Sequence, residues 1–233
     1  MNVHQFHSWP SDENEAIRIQ EKLREKITLD SDLNGVELIA GVDTSFNHHT
    51  ETLYAGVSLF RYPELTLFEK ATASRKAEFP YIPGLYAFRE GQVILKALNR
   101  LKTRPDVVIF AGHGIAHPRR FGMACHMGLL MDIPSIGCAR KRLAGQHQEI
   151  GSDEGEAAPL YVENKLAGQV YRSRTDVKPI YISPGYKCSI ADASRIVTDC
   201  LSGYRLPEPL RTAHRLANRI KQPKEKPQQV SEQ

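Results

Sequence analysis

Cysteine pairs and long apolar runs are missing from this 233-residue chain. Its four cysteines are widely spaced and form no C-x-x-C pair, so neither a disulfide framework nor a zinc knuckle is predicted. No run approaches the roughly 18 apolar residues that a membrane-spanning helix needs, and the first residues lack the apolar core of a signal peptide. We therefore expect a cytoplasmic protein with no membrane partner. The cysteines, predicted to be reduced core thiols, are Cys125, Cys138, Cys188 and Cys200.

A strong charge excess and a phosphate-binding loop are also absent. The net charge of +4 is too small to indicate nucleic-acid binding by itself, and no G-x-x-x-x-G-K-S/T motif occurs. The basic residues are instead clustered at 119–120 and 140–142, each directly after a predicted strand, where their charges could converge on a phosphate backbone. A third cluster, between 205 and 221, is more typical of a solvated helix face.

The hydrophobic pattern predicts one α/β domain over 1–221, because 41% hydrophobic residues suffice for a substantial core. Three strand-like runs joined by short polar links predict an antiparallel meander, and a helix followed by a strand predicts a crossover connection. Together they form a mixed β-sheet flanked by helices, followed by a polar tail at 222–233 that is predicted to be disordered. The predicted helices cover 11–27, 84–101, 122–131, 190–201 and 208–220, and the predicted strands cover 38–46, 53–60, 65–73, 107–110, 135–139, 160–163 and 167–172.

Asp43 lies inside an otherwise apolar predicted strand. A charge in that position must be paired or must hold a metal, and the residues alone leave both alternatives open. A meander followed by a crossover predicts that the first strand lies parallel to the fourth, which would make Asp43 and Ala111 neighbours at one sheet end. Two carboxylates there would hold Mg²⁺ or Mn²⁺ and support phosphodiester hydrolysis. The second position, however, is alanine.

The buried run 107–110 stops abruptly at Gly112, His113 and Gly114. In open α/β sheets, ligands bind just beyond the carboxyl ends of such strands, and glycine lets the backbone approach a ligand closely. The same pattern also fits an ordinary strand-to-helix loop. The segment therefore predicts either an active-site rim or a plain connection.

Four separated motifs make the chain resemble the endonuclease V family. They are Gly41-Val-Asp-Thr-Ser-Phe46, the run from Phe79-Pro-Tyr81 to Arg89-Glu90, the Gly112-His-Gly-Ile-Ala-His117-Pro-Arg-Arg segment and the run from Pro134 to Leu143. Weaker similarity extends through 206–214. The resemblance implies a ribonuclease-H-like fold and an endonuclease that cuts DNA containing deoxyinosine, at the second phosphodiester bond 3′ to the lesion.

The resemblance also implies the catalytic residues. Asp43 and Glu90 correspond to metal-binding carboxylates for Mg²⁺, with Mn²⁺ as an alternative, and Ala111 stands where the family has an aspartate. His117 and His214 correspond to positions near the metal and the scissile phosphate, although a core histidine bonded to backbone is the alternative for each. His126 is interpreted as structural. Arg140 stands where the family usually has lysine, and its planar guanidinium binds phosphate differently from an ammonium.

The implied nucleic-acid contacts lie on the second and third motifs. Tyr81 resembles the family's wedge residue, because a stiff proline-bracketed turn could push its ring into the base stack. Glycines beyond the strand would line a pocket for a flipped hypoxanthine. The predicted nucleic-acid-binding residues are Pro80, Tyr81, Ile82, Gly84, Gly112, His113, Gly114, Arg119 and Lys141.

Alanine at position 111 offers no side-chain oxygen to a cation, so we expect weak metal binding and impaired catalysis. Two explanations fit one lost carboxylate in an otherwise complete site: an engineered inactive form that holds intact substrate, and a natural binder that recognises the lesion without cutting. A further alternative is an endoribonuclease specific for inosine RNA. A monomer is expected.

Overall fold

The chain winds its strands into one mixed sheet. In the computed structural model, which describes residues 3–30 and 33–222, a short 3-10 turn at Arg24–Lys26 follows the first helix. The elements in chain order are α1 (Glu13–Leu23), β1 (Leu38–Asn47), β2 (Thr52–Arg61), β3 (Thr66–Lys76), α2 (Tyr86–Leu98), β4 (Val107–Phe110), α3 (Met123–Met131), β5 (Ser135–Ala139), β6 (Ala157–Val162), β7 (Lys165–Tyr171), β8 (Ile180–Tyr186), α4 (Ile190–Asp199) and α5 (Glu208–Lys221).

The sheet places three functional segments at one edge. Its strand order is β3-β2-β1-β4-β5-β8-β7-β6. Strands β1 to β3 form the predicted antiparallel meander, and β1 pairs parallel with β4, with Val42 opposite Phe110. Strand β5 is parallel to β4. Because β1, β4 and β5 run parallel, Asp43 within β1 lies beside Ala111 and Arg140, which directly follow β4 and β5, as the sequence predicted for Asp43 and Ala111.

The central strand β4 is buried on both faces. Its alternate residues belong to different hydrophobic clusters, Val108 and Phe110 to one, Val107 and Ile109 to the other. This alternation is expected because successive strand side chains point to opposite faces. Burying each such side chain contributes about 1.5–3 kcal/mol. Helices α2 and α3 cover the first face, and α4 with the start of α5 covers the second, which confirms the prediction of a mixed sheet flanked by helices.

Two glycines let α5 lie directly on the sheet. A Cβ at Gly41 would come within 2.2 Å of the Pro209 carbonyl carbon, and one at Gly56 within 2.1 Å of the Ala213 oxygen. Neither position therefore tolerates a side chain without moving the helix. This close approach brings His214, one residue beyond Ala213, to the strand that carries Asp43.

Strand β8 was not predicted. It contains Pro184, which cannot donate to a β ladder and argues against a central strand. In the structure, Pro184 pairs opposite Ile136 beside a register shift between Ser135 and Ile136. The shift accommodates the proline, and β8 joins the predicted β6–β7 hairpin to the rest of the sheet.

Several predicted boundaries were wrong by a few residues. The helix predicted at 84–101 begins at Tyr86 because Gly84 has φ +84°, outside the helical region. The helix predicted at 11–27 ends at Leu23, where the 3-10 turn takes over. Strand β6 begins at Ala157, earlier than predicted, because Pro159 is tolerated in a strand at the sheet edge. Of the predicted tail at 222–233, all but Gln222 lies outside the described residues.

The four cysteines are free and buried, as predicted. Within residues 3–30 and 33–222, no helix combines the length and the apolar character needed to cross a bilayer.

Candidate active site

A cavity of about 370 Å³ opens where β4 and β5 end, beside Asp43 in β1. Side chains from α1 and α2 and from the loops after β4 and β5 complete its walls. The predicted site residues that line it are Asp43, Gly84, Glu90, Ala111, Gly112, His113, His117, Arg140 and Lys141. The predicted residues outside its lining are Pro80, Tyr81, Ile82, Gly114, Arg119 and His214.

Asp43 is a paired buried carboxylate. Its Oδ1 accepts a hydrogen bond from the Thr44 backbone N–H at 2.8 Å, and its Oδ2 lies 2.8 Å from His214 Nδ1. The guanidinium of Arg140 is 3.8 Å from the same Oδ2. These contacts satisfy a carboxylate whose residue is only 8% exposed. Asp43 therefore has the partners that a buried charge requires.

A hydrogen-bonded chain extends from His214 across α5. The Asn218 amide Nδ2 lies 2.9 Å from His214 Nε2, and the Ser45 hydroxyl donates to Asn218 Oδ1 at 2.9 Å. Since the Asn218 amide nitrogen can only donate, His214 Nε2 accepts and Nδ1 carries the proton that is shared with Asp43. Asn218 thus sets both the tautomer and the orientation of His214.

Glu90 stands on α2 at the same cavity. Its Oε2 accepts a hydrogen bond from the Thr44 hydroxyl at 2.9 Å. Removal from water raises the pKa of the Glu90 carboxyl to about 7, the Thr44 hydrogen bond opposes that rise, and the nearby Asp43 charge adds to it. Because the Asp43 charge adds to the pKa of Glu90, a cation bound between the two carboxylates would reduce the repulsion between them.

Ala111 leaves a gap in this oxygen set. Its backbone N–H donates to the Val42 carbonyl at 2.9 Å, so the strand end keeps its register, but its side chain is a methyl group. In the described part of the chain, no three His, Cys, Asp or Glu side chains form a group that could hold a metal. The oxygens of Asp43, Glu90 and Thr44 suit a hard divalent cation, with one ligand fewer than the resemblance implies.

His117 is bonded to backbone rather than to either carboxylate. Its Nε2 lies 2.8 Å from the Gly84 carbonyl oxygen, and its Nδ1 accepts the Arg119 backbone N–H at 3.2 Å. Burial lowers the pKa of the His117 imidazole to about 4, so the ring is neutral at pH 7. The structure therefore shows the backbone-bonded alternative for this histidine, inside the cavity wall.

Arg119 also turns inward. Its Nε donates to Gln20 Oε1 at 2.5 Å, and its Nη2 donates to the Gly84 carbonyl at 3.2 Å. The side chain predicted to bind nucleic acid thus shares the Gly84 carbonyl with His117.

Gly112 and Gly114, which follow β4, lack a side chain for different structural reasons. Gly112 lines the cavity, where a Cβ would meet the Met123 side chain at 3.2 Å. Gly114 instead packs against β8, since a Cβ there would come within 1.9 Å of the Pro184 oxygen. Between them, burial lowers the pKa of the His113 imidazole to about 4, and its buried Nδ1 has no hydrogen-bond partner among the residues that the structure describes.

Tyr81 projects from the rim of the site. Its residue is 66% exposed, and its ring stacks on Tyr86 with centroids 4.9 Å apart. The Tyr86 hydroxyl donates to the Tyr81 hydroxyl at 2.8 Å. Phe79 is buried below the turn and Ile82 packs against the same cluster, so the aromatic ring is presented from a fixed base.

Several residues of this site were not predicted from the sequence, among them Gln20, Thr44, Ser45 and Asn218. Thr44 and Ser45 directly follow Asp43, and their position beside a candidate ligand was an available signal. Gln20 and Asn218 are single polar residues on amphipathic helices, a pattern that gives no such signal.

Comparison with known proteins agrees with the geometry. A family model described as Endonuclease V matches residues 21–215. The chain is 42% identical over 219 residues to an endonuclease V of Nostoc punctiforme, with 94% of this chain and 99% of that protein covered. It matches the crystal structure of an endonuclease V from Streptomyces avermitilis with TM-score 0.86 and 33% identity, over 95% of this chain and 98% of the other. A Ciona intestinalis endonuclease V variant, solved with a 23mer DNA containing an inosine followed by a ribo-adenosine, matches with TM-score 0.79 and 28% identity over 89% and 95% of the two chains.

Proposed function

The chain belongs to the endonuclease V family, and from this premise we propose that it recognises hypoxanthine in DNA and that its fold hydrolyses the second phosphodiester bond 3′ to the lesion. The observation that carries the proposal is one cavity with two walls. We use the name carboxylate wall for the lining residues Asp43 and Glu90, which are joined through Thr44, and recognition wall for Gly84, Gly112 and His117, which carry no carboxylate. A flipped base and a scissile phosphate need such adjacent but different surroundings.

Asp43 and Glu90 would hold a divalent cation, Mg²⁺ or Mn²⁺, which supplies Lewis-acid chemistry for phosphodiester hydrolysis. His214 keeps its Nδ1 proton directed at Asp43 and so holds that carboxylate in place. Arg140, at the rim, offers its guanidinium to the phosphate. Lys141 adds a second positive charge beside it.

Recognition of the base would use the recognition wall, which contains Gly84, Gly112 and His117. Tyr81 stands at the rim where an aromatic ring can enter the stack beside the lesion. The extruded base would enter between Gly112 and Gly84, where backbone groups and small residues leave room for a planar ring. The neutral rings of His113 and His117 avoid placing a positive charge against a neutral base.

Ala111 impairs the hydrolytic half of this function. The missing carboxylate removes both a ligand and a negative charge that would hold a cation against the phosphate. The recognition wall contains no part of residue 111, so it is unaffected. This contrast favours a second candidate function for the chain as it stands, a protein that binds the inosine lesion without cutting.

The test is nicking of a duplex that carries one deoxyinosine, with Mg²⁺ or Mn²⁺. The unaltered chain is compared with Ala111→Asp, and Ala111→Asn serves as the neutral control of similar size. We expect only Ala111→Asp to cut. If neither variant nor the unaltered chain cuts while all three bind the duplex, lesion binding replaces hydrolysis as the function. Preferential cleavage of the matching ribo-inosine strand by Ala111→Asp would move the substrate to RNA.

A further inference from the structure

The backbone carbonyl of Gly84 accepts three side-chain hydrogen bonds. His117 Nε2 lies 2.8 Å from it, Gln20 Nε2 3.0 Å and Arg119 Nη2 3.2 Å. A carbonyl oxygen has two lone pairs, so three donors saturate it. The crowding is visible at Gly84 itself, where a Cβ would meet Arg119 Nη2 at 3.0 Å and His117 Nε2 at 3.3 Å.

Gln20 is the residue that joins this carbonyl to the rest of the molecule. Its residue is 1% exposed, and its Nε2 also donates to the Phe121 carbonyl at 2.9 Å. Its Oε1 accepts from Arg119 Nε at 2.5 Å. The amide can adopt only one orientation, because the reversed amide would place its oxygen against two carbonyl oxygens. Gln20 lies just outside the segment that the family model matches, 21–215.

Three separate pieces of chain meet at this amide. Gln20 comes from α1, Gly84 ends the turn that carries Tyr81, and Phe121 closes the loop after β4. Helix α1 also packs through Ala16 against the cluster beneath that turn, which contains Phe79 and Leu85. Gln20 and Gly84 both line the cavity, so a shift of the amide moves the wall against which a base would lie.

We propose that Gln20 is a positioning residue for lesion recognition, which fixes the Gly84 wall and the Tyr81 turn relative to the loop after β4. The inference rests on the proposed function, since it assigns Gln20 a part in base selectivity. Gln20 acts through Gly84 and Arg119 and does not itself supply chemistry. Its loss would leave the charged rim at Arg140 and Lys141 intact, so binding to undamaged DNA would be retained.

The test compares the unaltered chain with Gln20→Met and Gln20→Glu. Methionine keeps the side-chain length but makes none of the hydrogen bonds. Glutamate keeps a partner for Arg119 but places oxygen against the Gly84 and Phe121 carbonyls. Ser135→Ala is the matched control, because the Ser135 hydroxyl also donates to a buried carbonyl, that of Ala124 at 2.7 Å, from the opposite end of β5.

The measurement is the ratio of the dissociation constants for two duplexes that differ only in adenosine or inosine at one position. Fluorescence of a 2-aminopurine beside that position reports extrusion of the base. We expect both Gln20 variants to lower the inosine preference about tenfold and to weaken the 2-aminopurine signal, while affinity for the adenosine duplex changes by less than about twofold. We expect Ser135→Ala to lower the melting temperature without changing the preference.

Each contrary result has a distinct meaning. If the unaltered chain shows no preference for inosine, the proposed function fails first. If that preference exists and both Gln20 variants retain it, Gln20 is not a positioning residue. Equal weakening on the two duplexes, with a lower melting temperature, would show a merely structural role and would also overturn the inference. Should Gln20→Met not fold, the Gln20→Glu result decides.

Discussion

On one wall of the cavity Gln20 and His117 bond to the Gly84 carbonyl, which also accepts a hydrogen bond from Arg119 outside the lining, whereas the other wall contains two carboxylates and the methyl group of Ala111. The first wall keeps its shape without a ligand around the Gly84 carbonyl, because Gln20, His117 and Arg119 all hydrogen-bond to that carbonyl inside the protein. The second wall brings two carboxylates together beside Ala111, so the hydrolysis proposed for it would depend on a cation. A single substitution can therefore disable one wall and leave the other intact.

If hydrolysis and lesion binding depend on different walls, a substitution of a carboxylate should lower the nicking rate without weakening lesion binding. In Ala111→Asp, we expect Asp43→Asn to lower the single-turnover nicking rate on the order of 10³-fold, because it removes a cation ligand and the partner of His214. In the unaltered chain, the same Asp43→Asn should leave affinity for the inosine duplex within about twofold. A parallel loss of affinity and rate would show that the walls are not independent.

A substitution on the recognition side should weaken lesion binding without affecting the carboxylate wall. We expect Tyr81→Ala to weaken binding of the inosine duplex about tenfold or more, because base stacking on an aromatic ring contributes roughly 1–3 kcal/mol. Binding is measured by fluorescence anisotropy, and Mg²⁺ binding by calorimetry in Ala111→Asp should not change. The control is Tyr86→Phe, which keeps the stack with Tyr81 but removes the donated hydroxyl bond. A Tyr81→Ala protein that binds inosine normally would contradict the wedge assignment.

The hydrogen bonds that link Asn218 on α5 to His214, and His214 to Asp43, predict a role for Asn218 in hydrolysis. In Ala111→Asp, we expect Asn218→Leu to lower the nicking rate about tenfold, because His214 loses the donor that fixes its tautomer. Substrate affinity should stay the same. Arg219→Gln, a change at the next and exposed residue, is the control. Equal rates for Asn218→Leu and Arg219→Gln would remove Asn218 from the site.

The smallest expected effect concerns pH. The pKa of Glu90 is raised from 4.5 to about 7 in the folded chain, so between these values the folded state binds the proton more tightly than the unfolded state. This contribution to stability is present below pH 4.5 and is lost as the pH rises through 7. We expect the drop in melting temperature from about pH 5 to about pH 8 to be roughly 5–10 °C smaller in Glu90→Gln. Identical drops in both proteins would show that burial does not raise this pKa.

The sequence predicted those parts of the fold that follow from local patterns. The meander, the parallel pairing of β1 with β4 and the convergence of Asp43 with position 111 came from strand order and short connections. Strand β8 was not predicted because it contains Pro184, which is rare inside a sheet. The sheet accepts this proline because the register of the partner strand shifts between Ser135 and Ile136. Local sequence carries no record of such a compensation.

The site residues also divide into those that local sequence predicts and those that it does not. Asp43 could be identified because a charge inside an apolar strand is unusual by itself. Gln20 and Asn218 could not, because their roles come from partners far away in the chain: Gln20 bonds to Gly84 and Phe121, and the partner of Asn218, His214, bonds to Asp43. Arg119 belongs to a basic motif that indicated a phosphate contact, and in the structure its guanidinium hydrogen-bonds to Gln20 and to the Gly84 carbonyl. Side-chain direction is decided by packing, which a motif does not encode.

The backbone of residue 111 has an evolutionary consequence. Its N–H bonds to Val42 whichever side chain it carries, so the strand end holds alanine without a change of register. Aspartate and alanine codons differ at a single base. If the proposed function holds, one mutational step would convert a protein that cuts a lesion into one that only binds it, without an unfolded intermediate, and selection could act on either behaviour in the same scaffold.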